Sequence, residues 1–177
     1  MALHLPDRPP SSAPASELKI RITGGSGQGR TRLAAFDGAL RAAGVADYNL
    51  IQLSSVIPPG AVVAEAAPAD QLQGGFGDAL YCVYAAGWVT TPGSEVWAGI
   101  AWSRRQDGSG AGLFVEHTGP SEDDVRHQLS WSLEDMDDGR EGLFAYEGDV
   151  LSSTRCTTRP ACAVVVATYR SVGWGSA

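Results

Sequence analysis

Two adjacent serines, Ser54 and Ser55, end an apolar run and stand just before a double proline. A proline cannot extend a central strand, and it holds the residue before it in an extended conformation. We therefore expect the serine pair at a strand end, with little conformational freedom in its backbone. The serine pair presents two adjacent hydroxyl groups, and a serine hydroxyl can act as a nucleophile when it is activated. The ordinary alternative, that both serines only cap a turn, stays open on these residues alone.

A second candidate for chemistry is Glu116, which follows the apolar residues 113–115. Burial among such neighbours would raise the pKa of its carboxyl group and keep a proton available near neutral pH. The local sequence alone favours the other interpretation, a strand glutamate that faces water or pairs with an arginine. The next residue, His117, must face the other side of a strand, and no Asp or Cys accompanies it in a hydrolase-like pattern. We therefore do not expect histidine-based hydrolysis.

The composition is that of a folded protein. The chain has 177 residues, of which 44% are apolar and 19% charged, enough for one domain with a hydrophobic core. Its net charge of −7 argues against nucleic acid as a partner. Of the three cysteines, Cys82 and Cys162 lie in apolar runs and are expected to be buried free thiols.

The expected organisation is a disordered tail, residues 1–17, ahead of a single domain, residues 18–177. The sequence shows neither a secretory signal nor an apolar segment of membrane length. We therefore expect a cytoplasmic protein with no membrane partner.

Alternating apolar and polar residues predict a first strand at 18–23, followed by a glycine-rich segment, Gly24–Gly29. This segment lacks the Lys-Ser/Thr ending of a phosphate-binding loop and the acidic partner of a dinucleotide site, which favours a plain tight connection. Residues 60–77 are rich in Ala, Pro and Gly and predict an irregular segment. Further strands are predicted at 49–56, 79–89, 95–102, 111–117, 143–150 and 161–169.

Two helices are predicted among these strands, which indicates an α+β or layered α/β domain. The first begins after a Thr31 cap and ends near Ala43, before Gly44, with a buried face formed by Leu33, Phe36 and Leu40. The second begins after a Ser121 cap with an acidic first turn, and its buried side is formed by Val125, Leu129, Leu133 and Met136. His127 and the acidic clusters at 122–124 and 134–138 are interpreted as a solvated face rather than a metal site.

The run Asn49–Pro59, Asn-Leu-Ile-Gln-Leu-Ser-Ser-Val-Ile-Pro-Pro, resembles the self-cleavage segment of the pyruvoyl-dependent arginine decarboxylases. Upstream, Ala-Phe-Asp-Gly-Ala-Leu at 35–40 and Ala-Gly at 43–44 match that family at the same spacing from the serines. Residues 112–116 and 162–167 follow in the expected order. The resemblance extends from about Ile20 to Tyr169.

This resemblance implies that the chain cuts itself between Ser54 and Ser55, into residues 1–54 and 55–177. The Ser55 hydroxyl would attack the Ser54 carbonyl, and elimination would then convert residue 55 into a covalent pyruvoyl group, the cofactor of the family. Asn49 matches a family residue that assists cleavage, where its amide could donate to the developing oxyanion. A local turn contact is the alternative role for this asparagine.

The implied reaction converts arginine to agmatine and carbon dioxide through an imine with the pyruvoyl group, with Glu116 returning the proton. Asp37 matches the position that contacts the substrate guanidinium, which can donate two parallel hydrogen bonds to a carboxylate. Val56 is the second substrate-binding position that the resemblance implies. The family also implies an α+β fold, a four-layer αββα sandwich of mixed sheets, assembled as a homotrimer with sites between subunits.

Four residues depart from the family pattern. Gln28 and Arg30 replace acidic residues, while His117 and Thr118 stand where well-known members carry an aromatic residue and a second glutamate. Less negative charge near a guanidinium would weaken arginine binding, so the same chemistry on another amino acid stays open. A non-catalytic trimeric binding or regulatory protein is the third hypothesis, because a fold does not guarantee a function.

Overall fold

The structure is a computed structural model, and it describes residues 18–67 and 72–175. The predicted disordered tail therefore lies outside the described residues. In chain order the elements are β1 (Lys19–Gln28), α1 (Arg32–Ala42), β2 (Asn49–Gln52), β3 (Val56–Ile57), β4 (Val62–Glu65), β5 (Ala79–Val89), β6 (Glu95–Arg105), β7 (Gly112–Gly119), α2 (Glu122–Asp138), β8 (Phe144–Arg155) and β9 (Ala161–Val172).

The strands form two sheets, so the α+β class is confirmed. One sheet has the order β2-β5-β9-β1-β4 and the other the order β3-β7-β6-β8. In the five-stranded sheet, both edge strands run parallel to their neighbours, while β9 is antiparallel to β5 and β1. The four-stranded sheet is antiparallel throughout. The first sheet is thus mixed, as expected, and the second is not.

The two sheets share an apolar core built from alternate residues of their strands. Its buried members include Ile20, Ile22, Ile57, Val83, Ile100, Phe114, Ala163, Val165 and Ala167. Since side chains alternate along a strand, Glu116 lies on the same face of β7 as Phe114. Tyr169 follows Ala167 on the same face of β9 and packs against this core. These two strands therefore bring a carboxyl group and a phenol to the rim of the core between the sheets.

The glycine-rich segment belongs to β1, so the prediction of a tight loop is wrong. Its residues pair with β9 as far as Gln28. A Cβ atom at Gly27 would lie 2.4 Å from the nitrogen of Ala39, and one at Gly25 would lie 2.3 Å from the oxygen of Ala39. Helix α1 also has small side chains at this contact, the alanines at positions 35 and 39, and both are fully buried. The glycines therefore allow α1 to approach the sheet closely.

The ends of α1 agree with the sequence, and its buried face agrees in part, since Leu40 is buried and Phe36 packs beside it. Thr31 caps the helix by accepting a hydrogen bond from the Ala34 amide, and Gly44 ends it with φ +79°. Leu33 was predicted to be buried and is 76% exposed. The physical reason is that the glycines of β1 leave room for the helix face that carries the alanines. This face packs against the sheet, and Leu33 therefore points towards solvent.

Helix α2 packs against the four-stranded sheet with the buried side that the sequence predicts. Ser121 caps it through the Asp124 amide. Val125, Leu129 and Leu133 are buried against residues of β6 and β7, and Met136 packs beside them. His127 is exposed and stacks on the Trp131 ring.

Two strand predictions need correction around the double proline. The predicted strand 49–56 is two strands, because β2 pairs with β5 in one sheet whereas β3 pairs with β7 in the other. Residues 53–55 form the link between the sheets. The segment 60–77 is not wholly irregular either, since β4 pairs in parallel with β1.

The three cysteines are free and buried, as predicted for Cys82 and Cys162. Burial raises the pKa of each of these two thiols to about 12, so neither forms a reactive thiolate near neutral pH. Within residues 18–67 and 72–175, no helix combines the length and apolar character needed to cross a membrane.

Candidate active site

Ser55 lies in the link between the sheets with a strained backbone. Its φ is +65°, the one positive value for a non-glycine residue in the described part of the chain. The left-handed region costs an L-residue roughly 1–2 kcal/mol, so it persists only when the surroundings impose it. Here the Leu53 amide donates to the Cys82 carbonyl at 2.9 Å, and the Ser55 carbonyl accepts from the Phe114 amide at 2.8 Å. The two ends of the link are thus fastened to different sheets.

The side chain of Ser55 meets Glu116. Its Oγ donates a hydrogen bond to Oε1 of Glu116 at 2.5 Å. Burial raises the pKa of the Glu116 carboxyl group, and the Ser55 hydrogen bond opposes that rise without cancelling it. The pKa shift has the direction that the apolar neighbours predict. A carboxyl group in this place can accept the hydroxyl proton and can hold a proton afterwards.

Val56 follows Ser55 in the edge strand β3. It pairs with Leu113, and because the neighbouring Ser55 carbonyl bonds to β7, the Val56 carbonyl points away from the sheet. The hydroxyl of Tyr169 donates to that carbonyl at 3.0 Å. Burial and the negative charge of Glu116 raise the pKa of Tyr169, so the phenol stays protonated. Tyr169 was not singled out from the sequence, although it continues the alternation of Ala163, Val165 and Ala167.

Asn49 is not brought to the serine pair within one chain. Its Nδ2 donates to the Gly77 carbonyl at 2.6 Å, and that oxygen also accepts from the Trp174 indole at 2.8 Å. Asn49 begins β2, whose four residues run extended beside β5. At about 3.3 Å per residue, roughly 13 Å of strand separates Asn49 from Leu53, before the link even begins.

Asp37 is also remote from Ser55 in a single chain. It lies on α1, which packs on the face of the five-stranded sheet that is turned away from the other sheet. Its carboxylate accepts from Nη2 of Arg41 at 2.5 Å, and both side chains are largely exposed. Asp37 therefore already binds a guanidinium, in a pair that water and salt weaken.

The residues that depart from the family pattern do not contact Ser55. Gln28 pairs with Ala161, which is eight residues, or roughly 26 Å, from Tyr169 along β9. His117 faces α2, where its Nε2 lies 2.7 Å from the Ser132 hydroxyl. Burial lowers the pKa of His117, and the charge of Asp124 opposes that shift. Glu116 and His117 thus face opposite sides of β7, as predicted.

Comparison with known proteins decides the family. A family model described as pyruvoyl-dependent arginine decarboxylase matches residues 19–171 of the chain. The chain belongs to this family.

Curated members of the pyruvoyl-dependent arginine decarboxylase family are similar over part of their length. The protein from Halobacterium salinarum is 47% identical over 98 residues, 55% of this chain and 59% of that protein. The one from Methanocaldococcus jannaschii is 36% identical over 100 residues, 56% of this chain and 58% of that protein. A third, named pyruvoyl-dependent arginine decarboxylase 2, from Archaeoglobus fulgidus, is 30% identical over 102 residues, 57% of this chain and 64% of that protein. The matched stretch is thus less than two thirds of each of these relatives.

In this member of the pyruvoyl-dependent arginine decarboxylase family, one chain assembles part of a site. Ser55, Val56, Glu116 and Tyr169 come together at the rim between the sheets. Asn49 and Asp37 lie elsewhere on the same chain. The described residues contain no cluster of His, Cys, Asp and Glu able to hold a metal ion. The chemistry that this geometry suggests therefore starts from the Ser55 hydroxyl and the Glu116 carboxyl group.

Proposed function

We propose that this chain is a self-processing pyruvoyl-dependent decarboxylase that converts arginine to agmatine and carbon dioxide. The observation that carries the proposal is the contact between the Ser55 hydroxyl and Glu116, at the residue whose backbone φ is +65°. Family membership supports the same chemistry, since the matched residues 19–171 include this site. The site thereby combines a nucleophile, the Ser55 hydroxyl, with a proton acceptor, Glu116, next to a strained peptide.

In the proposed cleavage, Oγ of Ser55 gives its proton to Glu116 and attacks the carbonyl carbon of Ser54. The amide bond between the two residues breaks, an ester forms, and the nitrogen of residue 55 becomes an amine. Loss of the α-proton of residue 55 then breaks its Cβ–Oγ bond and releases Ser54 as a free carboxylate. The dehydroalanine left at residue 55 takes up water, loses ammonia and becomes the pyruvoyl group.

The residues around Ser55 fit such a group. The carbonyl of residue 55 survives the cleavage, and the Phe114 amide that donates to it at 2.8 Å would still hold it. Glu116 lies against the β-position of residue 55, where the hydroxyl is lost. When formed, the pyruvoyl group supplies a ketone that can take up an amine and withdraw electrons from a neighbouring bond.

Glu116 is the proposed proton donor during turnover. Burial raises the pKa of its carboxyl group, so the protonated form persists to a higher pH than for a glutamate in water. A raised pKa keeps a larger fraction of the carboxyl group protonated, and thus able to donate, at any given pH. Its place on the core face of β7 also excludes water from one side of the carboxyl group.

We propose that Asp37 binds the guanidinium of arginine from a neighbouring subunit, and that Val56 lines the same pocket. Asp37 accepts a guanidinium from Arg41 in one chain, which supports the chemistry, and its distance from Ser55 supports a shared site. The same reasoning applies to Asn49, whose amide lies far from the Ser54 carbonyl of its own chain. The assembly that we propose is a homotrimer of four-layer αββα subunits.

Mass spectrometry under denaturing conditions tests the proposal directly. Two fragments, residues 1–54 and 55–177, with the second blocked at its N-terminus and reactive towards hydrazine, are the expected products. The cut protein should release agmatine and carbon dioxide from arginine more efficiently than the corresponding products from lysine or ornithine. An uncut chain without a reactive carbonyl would contradict self-processing, whereas a cut chain active on another amino acid would contradict only the substrate.

A further inference from the structure

Tyr169 lies at an irregularity in β9 that is next to the candidate site. Thr168 is opposite Cys82 and Arg170 is opposite Tyr81, so Tyr169 has no partner of its own in β5. Such a bulge bends the strand and re-aims a side chain. Here the side chain reaches from the five-stranded sheet to β3, the edge strand of the other sheet.

The phenol and its neighbour Phe114 hold two consecutive carbonyl groups. The Phe114 amide donates to the carbonyl of Ser55 at 2.8 Å, and the Tyr169 hydroxyl donates to the carbonyl of Val56 at 3.0 Å. The two rings contact each other edge to face, with centroids 6.2 Å apart. Residues 55 and 56 are therefore held from two sides, by a backbone amide of one sheet and a side chain of the other.

This second support matters because β3 is short. It has two residues, and Pro58 after it has no amide hydrogen to donate. Once the bond before residue 55 is cut, that residue becomes the end of a chain, and chain ends fray unless they are tied down. The Tyr169 hydroxyl is placed to prevent such fraying, because it bonds to the carbonyl of Val56, the residue that directly follows residue 55.

We propose that Tyr169 is a positioning residue, which holds the Val56 carbonyl so that residue 55 stays aligned with Glu116 before and after cleavage. This inference rests on the proposed function. It adds a residue from the last strand to a site otherwise formed by the link, β3 and β7. The phenol acts as a neutral donor and transfers no proton.

The test compares Tyr169→Phe with Tyr146→Phe. Both changes remove one phenol hydroxyl, but Tyr146 donates to Asp149 on β8, at the far edge of the four-stranded sheet. Cleavage between residues 54 and 55 is followed by intact mass after synthesis, and hydrogen–deuterium exchange is measured on the peptide that contains residues 55–60. Thermal unfolding and the kcat and KM for arginine are measured on the cut proteins.

For Tyr169→Phe we expect cleavage to slow about three- to tenfold, the effect of one net hydrogen bond, and kcat to fall by a similar factor. Exchange at residues 55–60 should be faster, with KM and the melting temperature close to those of wild type and of Tyr146→Phe. Wild-type cleavage and exchange rates in Tyr169→Phe would overturn the inference and leave the proposed function intact. A drop in melting temperature that accounts for slow cleavage, or equal slowing in Tyr146→Phe, would also overturn it. An uncut wild-type chain would overturn both proposals.

Discussion

The hydroxyl of Ser55 and the carboxyl group of Glu116 meet at 2.5 Å although 61 residues separate them in the chain. Edge strand β3 makes this possible, because its pairing with β7 places residue 55 beside the core face of that strand. The contact joins the strained peptide to a partly buried proton acceptor. Most of the expected consequences of mutation follow from it.

Replacing Ser55 should abolish self-cleavage. In Ser55→Ala no β-oxygen is available to attack or to leave, so we expect one species of full-length mass even after long incubation. Ser54→Ala is the matched control, because residue 54 contributes its carbonyl rather than its hydroxyl. This control should cleave. If Ser54→Ala stayed uncut while Ser55→Ala was cut, the nucleophile would be Ser54 and not Ser55.

Glu116→Gln should slow cleavage and, more strongly, turnover. Glutamine keeps the shape and can still accept the Ser55 hydrogen bond, but it cannot take up or return a proton. Because positioned acid–base groups contribute about 10²–10⁴-fold, we expect kcat on arginine to fall by at least about a hundredfold. Steady-state kinetics on fully cut protein measure this fall. Turnover at the wild-type rate would remove Glu116 from the role of proton donor.

The buried carboxyl group should also affect the pH dependence of stability. Burial raises the pKa of Glu116 above its value in the unfolded chain, so the folded state favours the protonated form. Its contribution to stability is therefore complete below the ordinary glutamate pKa of about 4.3 and is lost as the pH rises through the folded pKa. In an uncut Ser55→Ala background, adding Glu116→Gln should raise the melting temperature at pH 8 and leave it nearly unchanged at pH 4. If the difference in melting temperature between Ser55→Ala and the double variant were the same at every pH from 4 to 8, this linkage would be contradicted.

A site shared between subunits should permit complementation. Asp37→Asn should raise KM for arginine far more than it lowers kcat, since one of the two parallel hydrogen bonds to the guanidinium is weakened. Asp37→Asn and Glu116→Gln subunits, mixed by unfolding and reassembly before cleavage, should recover activity at low arginine concentration, where each variant alone is slow. Lack of recovery in verified mixed assemblies would place Asp37 and Glu116 in the same subunit's site.

The close approach of α1 to β1 makes a prediction about stability alone. In Gly27→Ala, the new Cβ would lie 2.4 Å from the nitrogen of Ala39, which is helix backbone and cannot move by a side-chain rotation. Overpacking of this kind costs about 1–3 kcal/mol, so the melting temperature should fall by several degrees. Gly175→Ala is the control, because no atom lies within 4 Å of its added Cβ. An unchanged melting temperature for Gly27→Ala would show that the helix can shift freely.

Local patterns predicted most elements and could not predict how they meet. The caps at Thr31 and Ser121 and the strand 79–89 are confirmed, because capping and alternation act over a few residues. The glycine segment was misread, since its purpose depends on Ala39 in another element. Leu33 was wrongly assigned to the buried face of α1 for the same reason.

The candidate site was predictable only in part. The contact between Ser55 and Glu116 agrees with the prediction that both belong to one site. Alternation along β9 predicts the face on which Tyr169 lies, but its role was missed because it depends on a hydrogen bond to the Val56 carbonyl, 113 residues away in the chain. The resemblance implied sites between subunits, but a motif gives only spacing along the chain, so it did not indicate that Asp37 and Asn49 would be the residues that lie away from Ser55 in one chain.

The link at residues 53–55 would have a consequence for the cleaved molecule that we propose. A cut there leaves β2 on β5 and β3 on β7, while β1, from the shorter product, stays inserted between β9 and β4 of the longer one. Two polypeptides then form one folded unit with no covalent bond between them. Unfolding therefore yields two separate chains, whereas unfolding of the uncut precursor yields one. By mass action, the melting temperature of the mature protein should rise with its concentration, and dilution should favour loss of the shorter polypeptide.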